Sequence, residues 1–233
     1  MRIQTSRIID LSVVVGSGTQ VYPDDPPCTL EPHSTLEPHS TIEKDGFNLL
    51  SVSMGSQTGT HVDAPFHFEQ SGKKIDELPL ELFLGRGVIV DATDLSDRGR
   101  VTWEHVAPVA EQIEPGCIVL LHTGWSRHYG TDRYFENPFL DGEACRRMIA
   151  LGVRTFGIDA VNIDETPDET HPGEGWPVHH LIAGVEGVIS ENLTNLDAID
   201  FEDPFISLLP IAFEAADGAP VRATATQFTA LPS

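Results

Sequence analysis

Apolar and polar residues alternate in short blocks along this chain, and the blocks predict a mixed α/β order. Residues 8–15 (IIDLSVVV) predict an opening strand. A Gly/Pro-rich loop follows, with residues 22–27 (YPDDPP) as its rigid part. Residues 47–54 (FNLLSVSM) alternate in part and are rich in strand formers. Residues 87–91 (GVIVD) and 117–121 (CIVLL) predict two more strands. Between them Thr102 predicts the cap of a helix running to about 112, with Trp103, Val106 and Val109 or Ala110 on one side. Asp141 predicts a second cap, with Gly152 stopping the helix after about Leu151. Residues 153–158 predict a strand that ends at Asp159. The acidic, Gly/Pro-containing stretch 160–178 predicts a long loop, and loops of that length are often functional. A short helix is expected from about His179, then a strand over 187–190 that runs into Glu191. Asn195 predicts a capped turn over 196–200, and the last strands fall at 205–212 and 220–229. No linker interrupts this order, so one domain over 1–233 is expected.

The hexapeptide LEPHST occurs twice in tandem, at 30–35 and 36–41. Two copies of a six-residue period do not make a solenoid. They predict a surface arm over 28–46, tolerated near a substrate entrance or a subunit contact. Its His33 and His39 offer imidazoles, but nothing in the spacing draws them to a common ion.

Composition narrows the function. The chain has 233 residues and a formal charge of -22, from 36 acidic and 14 basic residues. Such a surface repels nucleic acid and anionic membranes. The cysteines, Cys28, Cys117 and Cys145, form no close pair, which excludes a CxxC zinc knuckle and argues against a disulfide framework. With no long apolar segment, a cytoplasmic protein is expected.

The densest chemistry lies in residues 57–67, QTGTHVDAPFH. His61 and Asp63 are two apart and would share a face in an extended segment. Pro65 keeps a helix out of the interior of the stretch, and His67 lies close by. Two imidazoles and a carboxylate can hold zinc or manganese and still leave a base free. A buried loop network is the plainer alternative. A stable metal site needs more ligands. His179 and Glu191 are the strongest distant candidates, while His180 and His171 remain open because spacing does not choose among them.

QTGTHVDAPFHF, together with IIDLS, VYPDDPP, HTGW at 122–125, GIDAVNID at 157–164 and HHLIAGVEGVISENLTNL at 179–196, resembles the metal-dependent cyclase-like hydrolases. That family includes bacterial kynurenine formamidase and isatin hydrolase. The resemblance covers much of the chain in the expected order. It implies a compact mixed sheet with peripheral helices, homodimers or larger homo-oligomers, and one or two zinc or manganese ions. It places metal ligands at His61, Asp63, His179 and Glu191, with His67 as the catalytic group that moves protons. The family's first ligand histidine falls on Gln57, whose amide oxygen is a weaker and geometrically different donor. Asp159 and Asp164 are candidates to support the pocket from behind, or to make ordinary loop hydrogen bonds. Tyr22, Phe66, Trp125 and Trp176 are candidates for an aromatic wall, or for core. The implied activity is hydrolysis of a small carbonyl compound, first an aryl formamide such as N-formylkynurenine. A cyclic amide, imide or lactone is the alternative, and a metal- or ligand-binding protein without turnover is the reading from another class.

Overall fold

The computed structural model describes residues 3–32 and 41–230. His33 and His39 lie outside these residues. Among the described residues the strands are β1 (Ile3–Asp10), β2 (Thr29–Pro32), β3 (Leu50–Ser53), β4 (His61–Asp63), β5 (Leu84–Asp91), β6 (Arg100–Val101), β7 (Ile118–His122), β8 (Phe139–Leu140), β9 (Thr155–Ile158), β10 (Val188–Glu191), β11 (Phe205–Ser207), β12 (Gly218–Pro220) and β13 (Thr224–Ala230). One mixed sheet takes nine of them in the order β1-β13-β11-β5-β7-β9-β10-β4-β12. Its centre, β5-β7-β9-β10, is parallel, and antiparallel strands extend it on both sides.

The central strands are short apolar runs buried on both faces. Alternation of side chains splits β7 between two cores. Val119 and Leu121 join Phe156, Ile158, Cys145 and Met148 beneath the helices. Ile118 and Leu120 join Leu11, Val62, Phe83 and Ile206 on the opposite face. The α-helices of the described residues are peripheral: α1 (Ile42–Asp45), α2 (Trp103–Val106), α3 (Gly142–Ala150) and α4 (Pro177–Ala183). In α3 the Asp141 carboxylate accepts from the Glu143 and Ala144 N–H groups, and Gly152 at φ +98° turns the chain out.

Several predicted boundaries move, each for a local reason. The opening strand begins earlier and ends at Asp10, where Arg222 takes the carboxylate in a fork at 2.7 and 2.6 Å. Val13 then gives its N–H to the Thr60 hydroxyl instead of to a strand. The helix predicted to about 112 stops being α after Val106 and continues as a 3-10 helix over Ala107–Gln112. Pro108 has no N–H for the α ladder there. The strand predicted over 220–229 divides into β12 and β13, and β11 stops at Ser207. The helix near His179 starts two residues earlier, with Pro177 in its first turn. The strand predicted at 47–54 shortens to β3, which pairs with β2 outside the main sheet. Within the predicted arm, Thr41 caps α1 by accepting from the Lys44 N–H.

Candidate metal centre

The HVD triplet is the strand β4, held between β10 and β12. Val62 points into the core beneath, so His61 and Asp63 face the other way together. Across β10, Glu191 stands in register with His61. Gly59, at φ +68°, makes the turn into β4; a Cβ there would meet Val15 Cγ2 at 2.7 Å. Its carbonyl accepts from His61 Nδ1 at 2.8 Å and from Asn192 Nδ2 at 3.0 Å.

The fourth residue arrives with α4. Asp164 accepts from the Val178 and His179 N–H groups and from His179 Nδ1 at 2.8 Å. That carboxylate therefore starts the helix and aims the ring. It also sets His179 apart from the two other histidines that sequence spacing left open. His179 is buried against Asp63 and Glu191, whereas His180 is exposed beside Glu69 and His171 is exposed beside Asp168.

With both Nδ1–H groups donated, His61 and His179 each turn Nε2 inward, where it can bear a proton or a metal ion. His61 Nε2 lies 3.3 Å from Asp63 Oδ1 and 3.7 Å from Glu191 Oε2. His179 Nε2 lies 3.6 Å from Asp63 Oδ2 and 3.4 Å from Glu191 Oε1. The Ile163 N–H anchors Glu191 Oε1 at 2.7 Å. Both Asp63 oxygens are buried with no hydrogen-bond partner. A buried carboxylate is costly unless charges face it, and here the two imidazoles do. Two imidazoles and two carboxylates turned toward one another can share a cation. The titration behaviour agrees. Burial works against a charged imidazole, yet the Asp63 and Glu191 carboxylates still raise His61 to about 9. Burial likewise opposes charge on His179, and Asp164, Asp63 and Glu191 carry it well above its ordinary value. His61, Asp63 and Glu191 offer atoms within 4.8 Å of one another, as a divalent ion requires, and His179 Nε2 lies beside the two carboxylates.

His67 lies at the end of the 3-10 turn Pro65–His67 and is not part of this group. Its Nδ1 bonds to Asp217 Oδ2 at 2.9 Å, which leaves Nε2 free to take a proton. Burial works against the imidazolium, but Asp217 and Asp63 raise the ring above its ordinary 6.5. The same contact holds the Asp217 carboxyl down at about 2. Asp217 was not visible as a site residue in the sequence. It also accepts from Ser56 Oγ at 2.8 Å and from Gln57 Nε2 at 3.0 Å, so Ser56, Gln57 and His67 all hang on one carboxylate. Replacing Asp217 with Asn should lower kcat by about 10- to 100-fold. It should also move the acid limb of kcat/KM to lower pH, because a base whose pKa falls becomes neutral earlier in an upward titration. A pH–rate profile of the variant checks both.

The group opens onto a cavity of about 240 Å³ lined also by Gln20, Tyr22, Asp25, Gln57, His67, Phe68, Val161, Asn162 and Trp176. Of the four predicted wall residues, Tyr22 and Trp176 are there. Burial and the Glu191 charge push the Tyr22 phenol up to about 12. Trp176 adopts φ +63°, strained for a tryptophan, at the threshold of α4. Phe66 is on the far side of its turn, with the Lys74 ammonium 5.3 Å from its ring centre. The neighbour two residues on, Phe68, takes its place, 4.1 Å from the His179 ring. Trp125 belongs to the core, fully buried, with its Nε1–H on the Tyr134 carbonyl. Trp125→Ala should cost about 3–5 kcal/mol of stability in a denaturant titration, with little change in KM for protein that remains folded. Asp159 accepts from Thr123 and Gly124 and shapes the loop before Trp125, while Asp164 is the carboxylate that touches a site histidine.

Among the described residues, no helix is long and apolar enough to cross a membrane. Comparison with known proteins accords with the geometry. Over 95% of this chain and 98% of the relative, the sequence is 30% identical to a kynurenine formamidase of Bacillus cereus. Isatin hydrolase A from Labrenzia aggregata, solved with benzyl benzoate, superposes with a TM-score of 0.81 at 26% identity, over 94% of this chain and 93% of that one. Isatin hydrolase A from Ralstonia solanacearum shares the fold, with a TM-score of 0.82 at 24% identity over 96% and 92% of the two chains. A family model described as "Putative cyclase" matches residues 9–165, about two thirds of the chain, a stretch that includes β4, His67 and Asp164. The chain therefore belongs to the cyclase family.

Proposed function

We propose that the protein is a metal-dependent hydrolase of small carboxamides, with an aryl formamide such as N-formylkynurenine as the first substrate to test. One observation carries this reading. A buried set of four inward-facing acceptor groups stands in the same cavity as a histidine oriented by a carboxylate. His61, Asp63, His179 and Glu191 would hold the ion. A zinc or manganese ion bound there would supply Lewis acidity toward a carbonyl and make a water easier to deprotonate.

The chain's own groups do the remaining work. His67 Nε2 accepts the proton of the attacking water and returns one to the leaving nitrogen. Asp217 holds the ring in the tautomer that makes this possible and stabilises the imidazolium. Tyr22, Phe68 and Trp176 enclose the cavity, with Tyr22 and Trp176 ring centres 6.2 Å apart and Phe68 and Trp176 6.1 Å apart. At these distances the rings touch one another and form one aromatic face, against which an arene can pack beside His179. The likeness to isatin hydrolases favours one second reading, opening of an aryl-fused lactam, which uses the same groups. A homo-oligomer of the cytoplasm is part of the proposal. The exposed apolar hairpin residues Leu50 and Val52 and the three free cysteines support it.

The test is a substrate profile of metal-reconstituted protein against N-formylkynurenine, formanilide, isatin and an aryl lactone. Highest kcat/KM on the formamides is expected. Turnover of isatin or lactone alone moves the assignment to ring opening. Full metal retention with no hydrolysis of any of them leaves a binding protein.

A further inference from the structure

Among the described residues, three buried side-chain oxygen or nitrogen atoms lack a hydrogen-bond partner: Asp63 Oδ1, Asp63 Oδ2 and Gln57 Oε1. Two belong to the metal group. The third belongs to a residue that the sheet places beside it, and the strand register shows how. Gly218 of β12 stands opposite Asp63 of β4. A Cβ built on Gly218 would fall 2.7 Å from Gln57 Nε2 and 2.8 Å from Gln57 Oε1. The carboxamide thus fills the side-chain space that glycine leaves empty, directly across the ladder from Asp63. Cross-strand neighbours of that kind have Cβ atoms about 4.5–5.5 Å apart.

The orientation of the amide is fixed by chemistry. Nε2 meets the Asp217 carboxylate at 3.0 Å, and a flipped amide would set oxygen against oxygen. Oε1 therefore points away from Asp217, buried and unpaired. Oε1 and the Asp63 oxygens thus belong to residues of one cavity and lack hydrogen-bond partners, and a shared cation would satisfy both.

We infer that Gln57 is itself a metal ligand, through Oε1, and that it shifts the centre from zinc toward harder divalent ions such as manganese. The donors then comprise two imidazole nitrogens against oxygens from Asp63, Glu191 and Gln57. Oxygen donors suit manganese, whereas imidazole suits zinc. Asp217 gains a second role. Through the Gln57 N–H it polarises the amide and makes Oε1 a better donor. The same carboxylate thereby aims both the ion's oxygen ligand and the proton-moving His67.

This inference rests on the metal reading of the site but not on hydrolysis, so its test reads binding alone. Full-length protein is stripped with a chelator, and manganese and zinc affinities are measured by chelator competition. Circular dichroism verifies the fold of each variant. Q57A should bind manganese at least about tenfold more weakly than the unchanged chain. Q57H, which swaps oxygen for nitrogen, should raise the zinc-to-manganese affinity ratio at least about tenfold. Q57N keeps the amide but shortens its reach, should also lose manganese affinity about tenfold, and carries the test if Q57A does not fold. Unchanged manganese affinity in Q57A or Q57N, an unchanged ratio in Q57H, or an unmodified chain that binds neither ion overturns the inference. Loss of hydrolysis with these shifts intact overturns only the proposed activity.

Discussion

His67→Ala is expected to lower kcat by about 100- to 10,000-fold while the metal content stays as in the unchanged protein. The separation of the two effects follows from the geometry. His67 engages Asp217 through Nδ1 and stands outside the buried group of His61, Asp63, His179 and Glu191. Its side chain is 31% exposed, against 4% for His61 and His179. Removing it opens space at the cavity wall and leaves its half-exposed partner Asp217 within reach of solvent, so stability should change little. Metal analysis after equilibrium dialysis, beside steady-state rates, decides the matter. Undiminished turnover in a metal-saturated sample would show that another group moves the proton.

Asp63→Ala should have the opposite signature, with metal affinity falling by more than about a hundredfold and activity falling with it. Asp63 approaches both imidazoles, Oδ1 toward His61 and Oδ2 toward His179. Glu191 does the same, but the Ile163 N–H holds one of its oxygens, whereas neither Asp63 oxygen has a hydrogen-bond partner. In the metal-free chain the substitution also removes a counter-charge from both buried imidazoles. Saturating metal stabilises a protein that binds it by about 4 kcal/mol at a thousand times Kd. At the same metal concentration a variant that binds a hundredfold more weakly keeps at most about 1.4 kcal/mol of that increment. Thermal unfolding of both proteins with and without manganese measures it. A variant that keeps the full metal-induced rise in Tm would remove Asp63 from the ligand set.

Part of this site is legible in the sequence because its chemistry is local. His61 and Asp63 are two residues apart, and two is the period of a strand, so a shared face could be read directly. His179 and Glu191 needed the resemblance, since the residues that select them are far along the chain. Asp164 picks His179 from fifteen residues away, and strand register sets Glu191 opposite His61. Asp217 carries no local signal at all. Its role exists because β12 pairs with β4. The aromatic candidates divide for a related reason, with Tyr22 and Trp176 at the cavity and Phe66 and Trp125 away from it. Composition identifies a ring, but a 3-10 turn decides that Phe68 and not Phe66 enters the cavity. In the fold, apolar runs marked the central strands well, whereas strand ends depended on partners such as Arg222. The second helix changed character early at a single missing N–H, that of Pro108.

The placement of β4 between β10 and β12 bears on how the protein comes together. The Ser190 hydroxyl reaches the His61 carbonyl across 129 residues of sequence, and Gly218 reaches Asp63 from farther still. Closing such loops is entropically slow, and it must precede any gathering of the ligands. A nascent chain therefore has no socket for an ion until β10 and β12 have been made and paired. Loading is a late event in biogenesis, and an ion added during refolding should slow unfolding far more than it speeds folding.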